Sequence, residues 1–487
     1  MLLGSARRSH LELGLAPLTI VSTYLLGRDD KPQDTDSLTL QPGPQGSNSA
    51  RNYRTCGDVL FGPPELRGTL SLAPEAVRRA RPVKACKLQC SASRSASFVR
   101  TPSIPYSTLR RRMKSLARHF ELARGGDDAN VRSMEGLRGF AVFLVFLVHY
   151  ATLAGPWIPV DTFTVRIADA MHTVGNSGVD LFFILSGYLI YSSLISKRQR
   201  FGSFMHRRIK RLYPTFTVVF LLYVLLSFIF RSESKIPTQG SDAFIYLIQN
   251  FLLLPGLFPI TPMISVAWSL SYELFYYLVA PLAIALFSMR ERTAAWRISL
   301  FSLVAILFVT YCAFISGPIQ LVMFISGILL FETLSFGERV PKPSVYFAGT
   351  ALFFGVTAIL LPWGGAVGQI SKVTILFCAF FVVCLACFRT PSGEFARWFC
   401  WTPLRWLGNM SYSYYLLHGL VLKAAFLALS GIFPISAFGS WFFWALLPVM
   451  FLVTLLPTAA LFLLVEKPYS LSPPRAPRTS VLFPGEV

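Results

Sequence analysis

The sequence predicts an all-α, polytopic transmembrane helix bundle with about ten spans, cytoplasmic N- and C-termini and a disordered basic N-terminal tail. Three observations lead to this fold class. The 487-residue chain is 53% hydrophobic and only 14% charged, whereas soluble proteins carry about 25% charged residues. Apolar runs long enough to cross a bilayer core of about 30 Å recur from residue 136 onward. The Lys and Arg residues lie in the tail and in alternate loops, which indicates membrane orientation rather than nucleic-acid binding despite a net charge of +21.

The first part of the chain, residues 1–130, differs in composition from the rest. It is rich in Ser, Pro, Gly and Arg, and its only apolar run is interrupted and too short to span a bilayer. A segment of this kind cannot bury enough apolar surface to fold, so a disordered basic tail is expected. Residues 131–470 then form the membrane domain, and 471–487 form a short cytoplasmic tail.

The membrane domain divides into ten predicted spans. They are placed near 136–154, 176–196, 212–230, 266–288, 297–315, 318–335, 345–362, 372–388, 408–430 and 440–465. The apolar stretch 242–258 is broken by Pro255, and we expect an interfacial or re-entrant segment there.

The loops between these spans alternate in basic content. The tail flank, the second-to-third connection and every second loop after it are rich in Lys and Arg, and the intervening loops are poor in them. An even number of spans with both termini inside satisfies the positive-inside rule at each loop. The sequence therefore predicts a multi-pass membrane protein, and the expected membrane is the plasma membrane.

The first span carries Arg138 near one end and His149 near the other. At about 100° and 1.5 Å per residue, the two side chains lie on nearly the same helix face and roughly 16 Å apart. Asp180, in the second span, lies at a depth similar to that of His149. It either accepts the imidazole N–H, which leaves the other nitrogen as a base, or it pairs with Arg166 or caps its helix. Ionisable groups within a span are candidate functional residues.

A basic cluster precedes the third span and contains Arg207, Arg208, Lys210 and Arg211. Guanidinium groups at the cytoplasmic interface can bind phosphate groups bidentately. The same residues could instead fix the topology and contact lipid headgroups, and position alone favours that simpler role.

Three further ionisable residues lie in later spans. Glu273, in the fourth span, needs an arginine partner or a substrate hydroxyl at its depth. His418, in the ninth span, is either a member of a buried hydrogen-bond network or a participant in catalysis. Glu466 ends the last span and most simply anchors it at the interface. The histidines lie on different helices without nearby carboxylates, so no metal site is expected.

Five motifs occur in order along the membrane domain. They are the Arg138-x10-His149 pair, Gly178-Val-Asp-Leu-Phe-Phe-Ile-Leu-Ser-Gly187, Arg207-Arg-Ile-Lys-Arg-Leu-Tyr-Pro214, Trp268-Ser-Leu-Ser-Tyr-Glu273 and Ser411-Tyr-Ser-Tyr-Tyr-Leu-Leu-His418. With these motifs the chain resembles the acyltransferase-3 family, the integral-membrane O-acyltransferases that modify cell-surface polysaccharides and related glycans. The resemblance covers about 136–470.

The resemblance implies transfer of an acyl group, usually acetyl, from acyl-CoA to a hydroxyl of a sugar or glycan. Acyl-CoA is then a co-substrate, and no permanently bound cofactor is expected. The implied catalytic residues are His149 as general base with Asp180 and Glu273, and His418 is a further candidate. The implied donor-binding residues are Arg138, Arg207, Arg208 and Arg211. The donor would enter a transmembrane tunnel from the cytoplasm, and the acceptor would enter from outside.

A secondary transporter or flippase is the alternative function, with buried Arg, His and Glu residues carrying protons and a polar solute. Such proteins usually show two related halves, and spans one to five do not resemble spans six to ten. The expected partners are membrane lipids, the acyl-CoA donor and a glycan acceptor. The sequence does not determine the oligomeric state.

Overall fold

A computed structural model describes residues 119–122, 129–158, 163–315, 317–433 and 439–471. Within those ranges the chain forms helices and turns and no β-strand, which confirms the all-α class. The predicted disordered tail lies outside the described residues except for 119–122 and 129–130, and so does the predicted C-terminal tail except for Leu471.

The helices are labelled here in chain order. The first seven are α1 Ala129–Ala154, α2 Phe163–Gly175, α3 Ser177–Ile195, α4 Phe201–Ile229, α5 Gly240–Phe251, α6 Ala267–Leu286 and α7 Ala294–Ile315. The next seven are α8 Val322–Leu334, α9 Val345–Leu360, α10 Gly365–Arg389, α11 Glu394–Phe399, α12 Thr402–Asn409, α13 Ser411–Ile432 and α14 Trp441–Leu461.

All ten predicted spans coincide with helices, which confirms a polytopic helix bundle. Eight helical segments are long and apolar enough to cross a membrane: Arg132–Trp157, Phe163–Ile195, Phe201–Ile229, Ala267–Leu286, Ala294–Ile315, Gly365–Arg389, Ser411–Ile432 and Trp441–Ser470. The sixth and seventh predicted spans are the shorter apolar helices Ile319–Leu334 and Val345–Leu360. A helix of about 16 residues rises only about 24 Å, so these two require a locally thinned bilayer or burial against other helices.

Helix α2 was not predicted, because the sequence placed 163–175 in an outer loop. Its residues Arg166, Asp169 and His172 lower its hydropathy, although its apolar residues follow a helical period. Helices α2 and α3 meet at Asn176 and together form an apolar segment of 33 residues. The stretch around Pro255 contains α5, a helix of 12 residues that is too short to span, as its interrupted sequence indicated.

Glycines allow the helices that carry the ionisable residues to pack closely. A Cβ atom on Gly187 of α3 would lie 2.2 Å from the carbonyl oxygen of Phe324 in α8. One on Gly327 of α8 would lie 2.0 Å from the carbonyl oxygen of Ile184 in α3. Small residues commonly permit such backbone contact between membrane helices. The α3–α8 contact therefore depends on these two glycines.

The last span changes its helical pattern near its end. Helix α14 continues as a π-helix over Phe462–Ser470, which contains Pro468. Proline lacks an N–H group and cannot make the usual helical hydrogen bond, so a local change of pattern is expected beside it. The wider turn accompanies a fully buried position for Glu466.

Candidate functional site

A cavity of about 120 Å³ lies between α1, α3, α4, α6 and α13. Its polar lining contains Arg138 from α1, Arg208 and Arg211 from α4, and Glu273 from α6. Aromatic and aliphatic side chains of α3, α6 and α13 form the rest of the wall. Four of the residues singled out by the sequence are thus brought together from three helices.

A second, wider cavity of about 370 Å³ shares two of these arginines. Its lining contains Arg207, Arg208, Lys210 and Arg211, together with Ser193. The basic cluster therefore lies between an outer basic pocket and the narrow interior cavity. Such an arrangement favours an anionic group that enters from the basic side.

Arg208 is held by aromatic rings. Its guanidinium carbon lies 5.2 Å from the ring centre of Phe204 and 5.4 Å from that of Tyr277, within the range of cation–π attraction. Its Nη2 donates to the hydroxyl of Ser193 at 3.2 Å. A guanidinium has five N–H donors, so several remain for an anion in the cavity.

Arg211 has a protein partner that the sequence analysis did not identify. Its Nη1 lies 2.9 Å from Oε1 of Glu466, whose side chain is 0% exposed. The other carboxylate oxygen of Glu466 accepts hydrogen bonds from the backbone N (3.0 Å) and the hydroxyl (2.6 Å) of Ser413. Glu466 is therefore not a simple interface anchor, because it joins α4 to α13 beneath the cavity.

Glu273 lies on the cavity wall and is half-buried. It accepts a hydrogen bond from the hydroxyl of Tyr277 at 2.6 Å and a long one from Ser186 at 3.5 Å. Among the described residues it forms no ion pair, so the predicted direct pairing with an arginine is not observed. Glu273 is the acidic residue of a cavity wall whose other ionisable side chains include three arginines.

His149 packs against His418 rather than pairing with Asp180. The ring centres of the two histidines are 4.9 Å apart and the rings are inclined at 65°. Asp180 is buried and forms no hydrogen bond to either imidazole within the described part of the chain. The predicted His149–Asp180 hydrogen bond, and the alternative pairing of Asp180 with Arg166, are therefore not formed.

The reason lies in the helix faces. Gly178 is the residue of α3 that packs onto α1, because a Cβ there would lie 2.5 Å from the carbonyl oxygen of Ala141. Asp180 follows two positions later, which is about 200° around the helix, so its side chain leaves on the far side. The sequence indicated a depth for Asp180 but not the face of α3 that meets α1.

Two neighbouring aromatic side chains belong to the cavity wall, and one of them lies beside a histidine. Phe182 and Tyr415 line the cavity, and their ring centres are 5.9 Å apart. The ring of Tyr415 is 6.3 Å from that of His418, and its hydroxyl is hydrogen-bonded to Ser269 at 2.7 Å. His149 and His418 are not part of the cavity wall. The cavity thus stops short of the two imidazoles, and Tyr415 is the residue of its wall whose ring lies beside His418.

Metal ligation has no support in the described ranges, which contain no group of three or more His, Cys, Asp or Glu side chains placed to hold an ion. The ionisable groups are guanidinium groups and the Glu273 carboxyl in the cavity wall, with two imidazoles outside that wall.

Comparison with known proteins identifies the family of the chain. The sequence profile described as an acyltransferase domain matches residues 131–463. The chain is 29% identical over 321 residues to O-acetyltransferase OatA of Staphylococcus aureus, and the matched region covers 58% of this chain and 49% of that protein. It is 24% identical over 325 residues to peptidoglycan O-acetyltransferase OatA of Listeria monocytogenes, and here the matched region covers 59% of this chain and 49% of that protein. The chain therefore spans about half the length of these relatives. No solved structure gives a significant match.

Proposed function

The chain belongs to the acyltransferase-3 family, and we propose that it transfers an acetyl group from acetyl-CoA to a hydroxyl group of a cell-surface glycan. One observation carries the proposal: guanidinium groups from α1 and α4 converge on a cavity, and Tyr415 in the wall of that cavity lies beside His418, one of a pair of imidazoles. The names of the relatives support an acetyl group and a polysaccharide acceptor of the peptidoglycan type.

The donor would bind through its phosphate groups. Coenzyme A carries a 3′-phosphate and a pyrophosphate, and arginine binds such groups with paired N–H donors. Arg207 and Lys210 line the wider pocket, Arg138 lines the inner cavity, and Arg208 and Arg211 line both. By the positive-inside rule this basic end faces the cytoplasm, where the donor would be supplied.

The reaction would take place beyond Phe182 and Tyr415. The acceptor oxygen attacks the thioester carbonyl carbon while His149 takes the hydroxyl proton. The carbon–sulfur bond breaks, an ester forms, and the proton passes to the departing sulfur as CoA thiol. The Arg138–His149 distance of roughly 16 Å along α1 suits a pantetheine arm that reaches from the phosphates to this point.

The test is acetyl transfer across a bilayer. The purified full chain is reconstituted in liposomes with labelled acetyl-CoA on the basic side and a peptidoglycan fragment on the other. Labelled ester on the fragment is the expected result. Arg208→Ala should raise the KM for acetyl-CoA roughly 10- to 100-fold, because charge-assisted hydrogen bonds contribute about 1.5–3 kcal/mol. Its matched control is Arg198→Ala, an exposed arginine outside both cavities.

Three outcomes would contradict the proposal. Uptake of the fragment without acetyl transfer would favour the transporter alternative. An unchanged KM in Arg208→Ala would remove the cavity as the donor site. Transfer from a different acyl donor but not from acetyl-CoA would show that acetyl-CoA is not the donor.

A further inference from the structure

His418 is a buried imidazole with one nitrogen bonded and one free. Its Nδ1 lies 2.8 Å from the backbone carbonyl oxygen of Tyr414. A carbonyl oxygen only accepts, so Nδ1 carries the proton of this bond. The side chain is 0% exposed, and a charged imidazole without a counterion would be costly there. The ring is therefore neutral, and Nε2 bears a lone pair.

The absence of a bonding partner for the second ring nitrogen of His418 is unusual for a buried side chain. Nε2 of His418 has no hydrogen-bond partner among the described residues, although it is fully buried. Buried polar side-chain atoms are bonded in the large majority of cases. The nearest aromatic ring is that of His149, with its centre at 4.9 Å.

The surroundings of His418 hold its ring in one orientation. The ring of Tyr414 is stacked on it at 5.3 Å with an interplanar angle of 11°. The Tyr414 hydroxyl is hydrogen-bonded to Thr454 at 2.7 Å, and Thr454 is bonded to the carbonyl oxygen of Phe451 at 2.7 Å. A flip of the imidazole would break the bond to the Tyr414 carbonyl. The Nε2 lone pair therefore stays where the packing places it.

We infer that His418 is a positioning residue for His149, and that its Nε2 accepts the N–H of His149 during acyl transfer. This inference rests on the proposed function. An N–H···N bond of about 2.9 Å between two ring edges places the ring centres roughly 5 Å apart. The observed separation of 4.9 Å already matches that value, so rotation of the His149 ring completes the bond. The bond fixes the tautomer of His149, and its other nitrogen then receives the acceptor proton.

His418 thus takes the role that was predicted for Asp180. A base held by a third group is the general arrangement for activating a hydroxyl. A neutral acceptor suits this depth, because a buried carboxylate would cost more free energy than an imidazole lone pair. The proton shared between the two rings stays on His149, so the balance of the transfer reaction does not change.

Two isosteric variants separate this role from a structural one. His418→Gln places an amide acceptor at the position of Nε2, whereas His418→Asn keeps a donor at the position of Nδ1 for the Tyr414 carbonyl. We expect the Gln variant to keep kcat within tenfold of the wild type. The Asn variant should lose roughly 100-fold or more, the scale of a general-base contribution. The KM for acetyl-CoA should not change in either variant, because the phosphate site is distant.

The control is His172→Gln, which changes a half-buried histidine of α2 that lines neither cavity. It should keep kcat near the wild-type value. An active Asn variant with an inactive Gln variant would show that His418 only anchors the helix. Wild-type activity in both variants, loss in both folded variants, or a larger loss in His172→Gln would also overturn the inference.

A measurement on the wild-type chain does not depend on the variants folding. Nitrogen-15 NMR of labelled histidines should show His418 neutral, with the proton on Nδ1. A proton on Nε2 would overturn the inference. If the wild-type protein transfers no acetyl group from any donor, the proposed function fails, and the tautomer result stands apart from it.

Discussion

Replacement of Glu466 by glutamine should destabilise the bundle through its effect on Arg211. The glutamine side chain still has an oxygen that can accept the two hydrogen bonds from Ser413. It lacks the negative charge that lies 2.9 Å from the Arg211 guanidinium. Loss of one partner of a buried ion pair costs about 3–5 kcal/mol. The Arg211 side chain is 23% exposed, so cavity water offsets part of the cost, and we expect about 3 kcal/mol. Equilibrium unfolding in mixed detergent micelles gives the free energy of unfolding.

The double variant tests the physical reason. Arg211→Met alone leaves the Glu466 charge buried and should cost a similar amount, whereas the two changes together remove both charges. The double variant should therefore be more stable than either single variant. Unchanged stability in both single variants, or strictly additive losses in the double variant, would refute the reasoning. A raised KM for acetyl-CoA in the stable double variant would show that Arg211 also binds the donor.

Three further predictions concern helix packing, another buried ion pair and the aromatic wall of the cavity. Gly187→Ala should destabilise the protein by about 1–3 kcal/mol, because the added Cβ would collide with the backbone of a neighbouring helix. Gly349→Ala should not destabilise it, because no atom lies within 4 Å of a Cβ at that position. Thermal unfolding of the two variants measures the difference. Glu332→Gln should lower the free energy of unfolding by about 3–5 kcal/mol, because this carboxylate is 0% exposed and pairs with Arg297 at 2.6 Å. Glu338→Gln, at an exposed glutamate, should leave the free energy of unfolding unchanged. Equal losses in the two variants would contradict this prediction. Phe182→Ala should open the cavity toward the imidazoles and raise acetyl-CoA hydrolysis without acceptor, and unchanged hydrolysis would show that Phe182 does not close the passage.

The fold class could be predicted from the sequence because it depends on local pattern, and the candidate ionisable residues were selected from the same pattern. Long apolar runs predicted ten helical segments. Charge inside two of those runs pointed to Arg138 and Glu273, and a basic cluster just before the third run pointed to Arg208 and Arg211; the four side chains share one cavity. Helix α2 was missed because its polar residues lower its hydropathy below that of a span.

The pairing of side chains could not be predicted from depth alone. Asp180 and His149 were placed at similar levels, but the face of α3 that meets α1 depends on the close approach at Gly178. Glu466 was read as an interface anchor because the π-helical turn that accompanies its burial has no clear sequence signal. The contact between His149 and His418 joins the first and ninth predicted spans, and a single sequence carries no information about that proximity.

A structure of the full chain with a non-transferable acetyl-CoA analogue tests the central claim most directly. We expect the phosphate groups beside Arg208 and Arg211, with the Phe182 and Tyr415 rings parted and the acyl carbon next to His149. Phosphate groups bound elsewhere, or an acyl end that stays on the basic side of closed rings, would contradict the account.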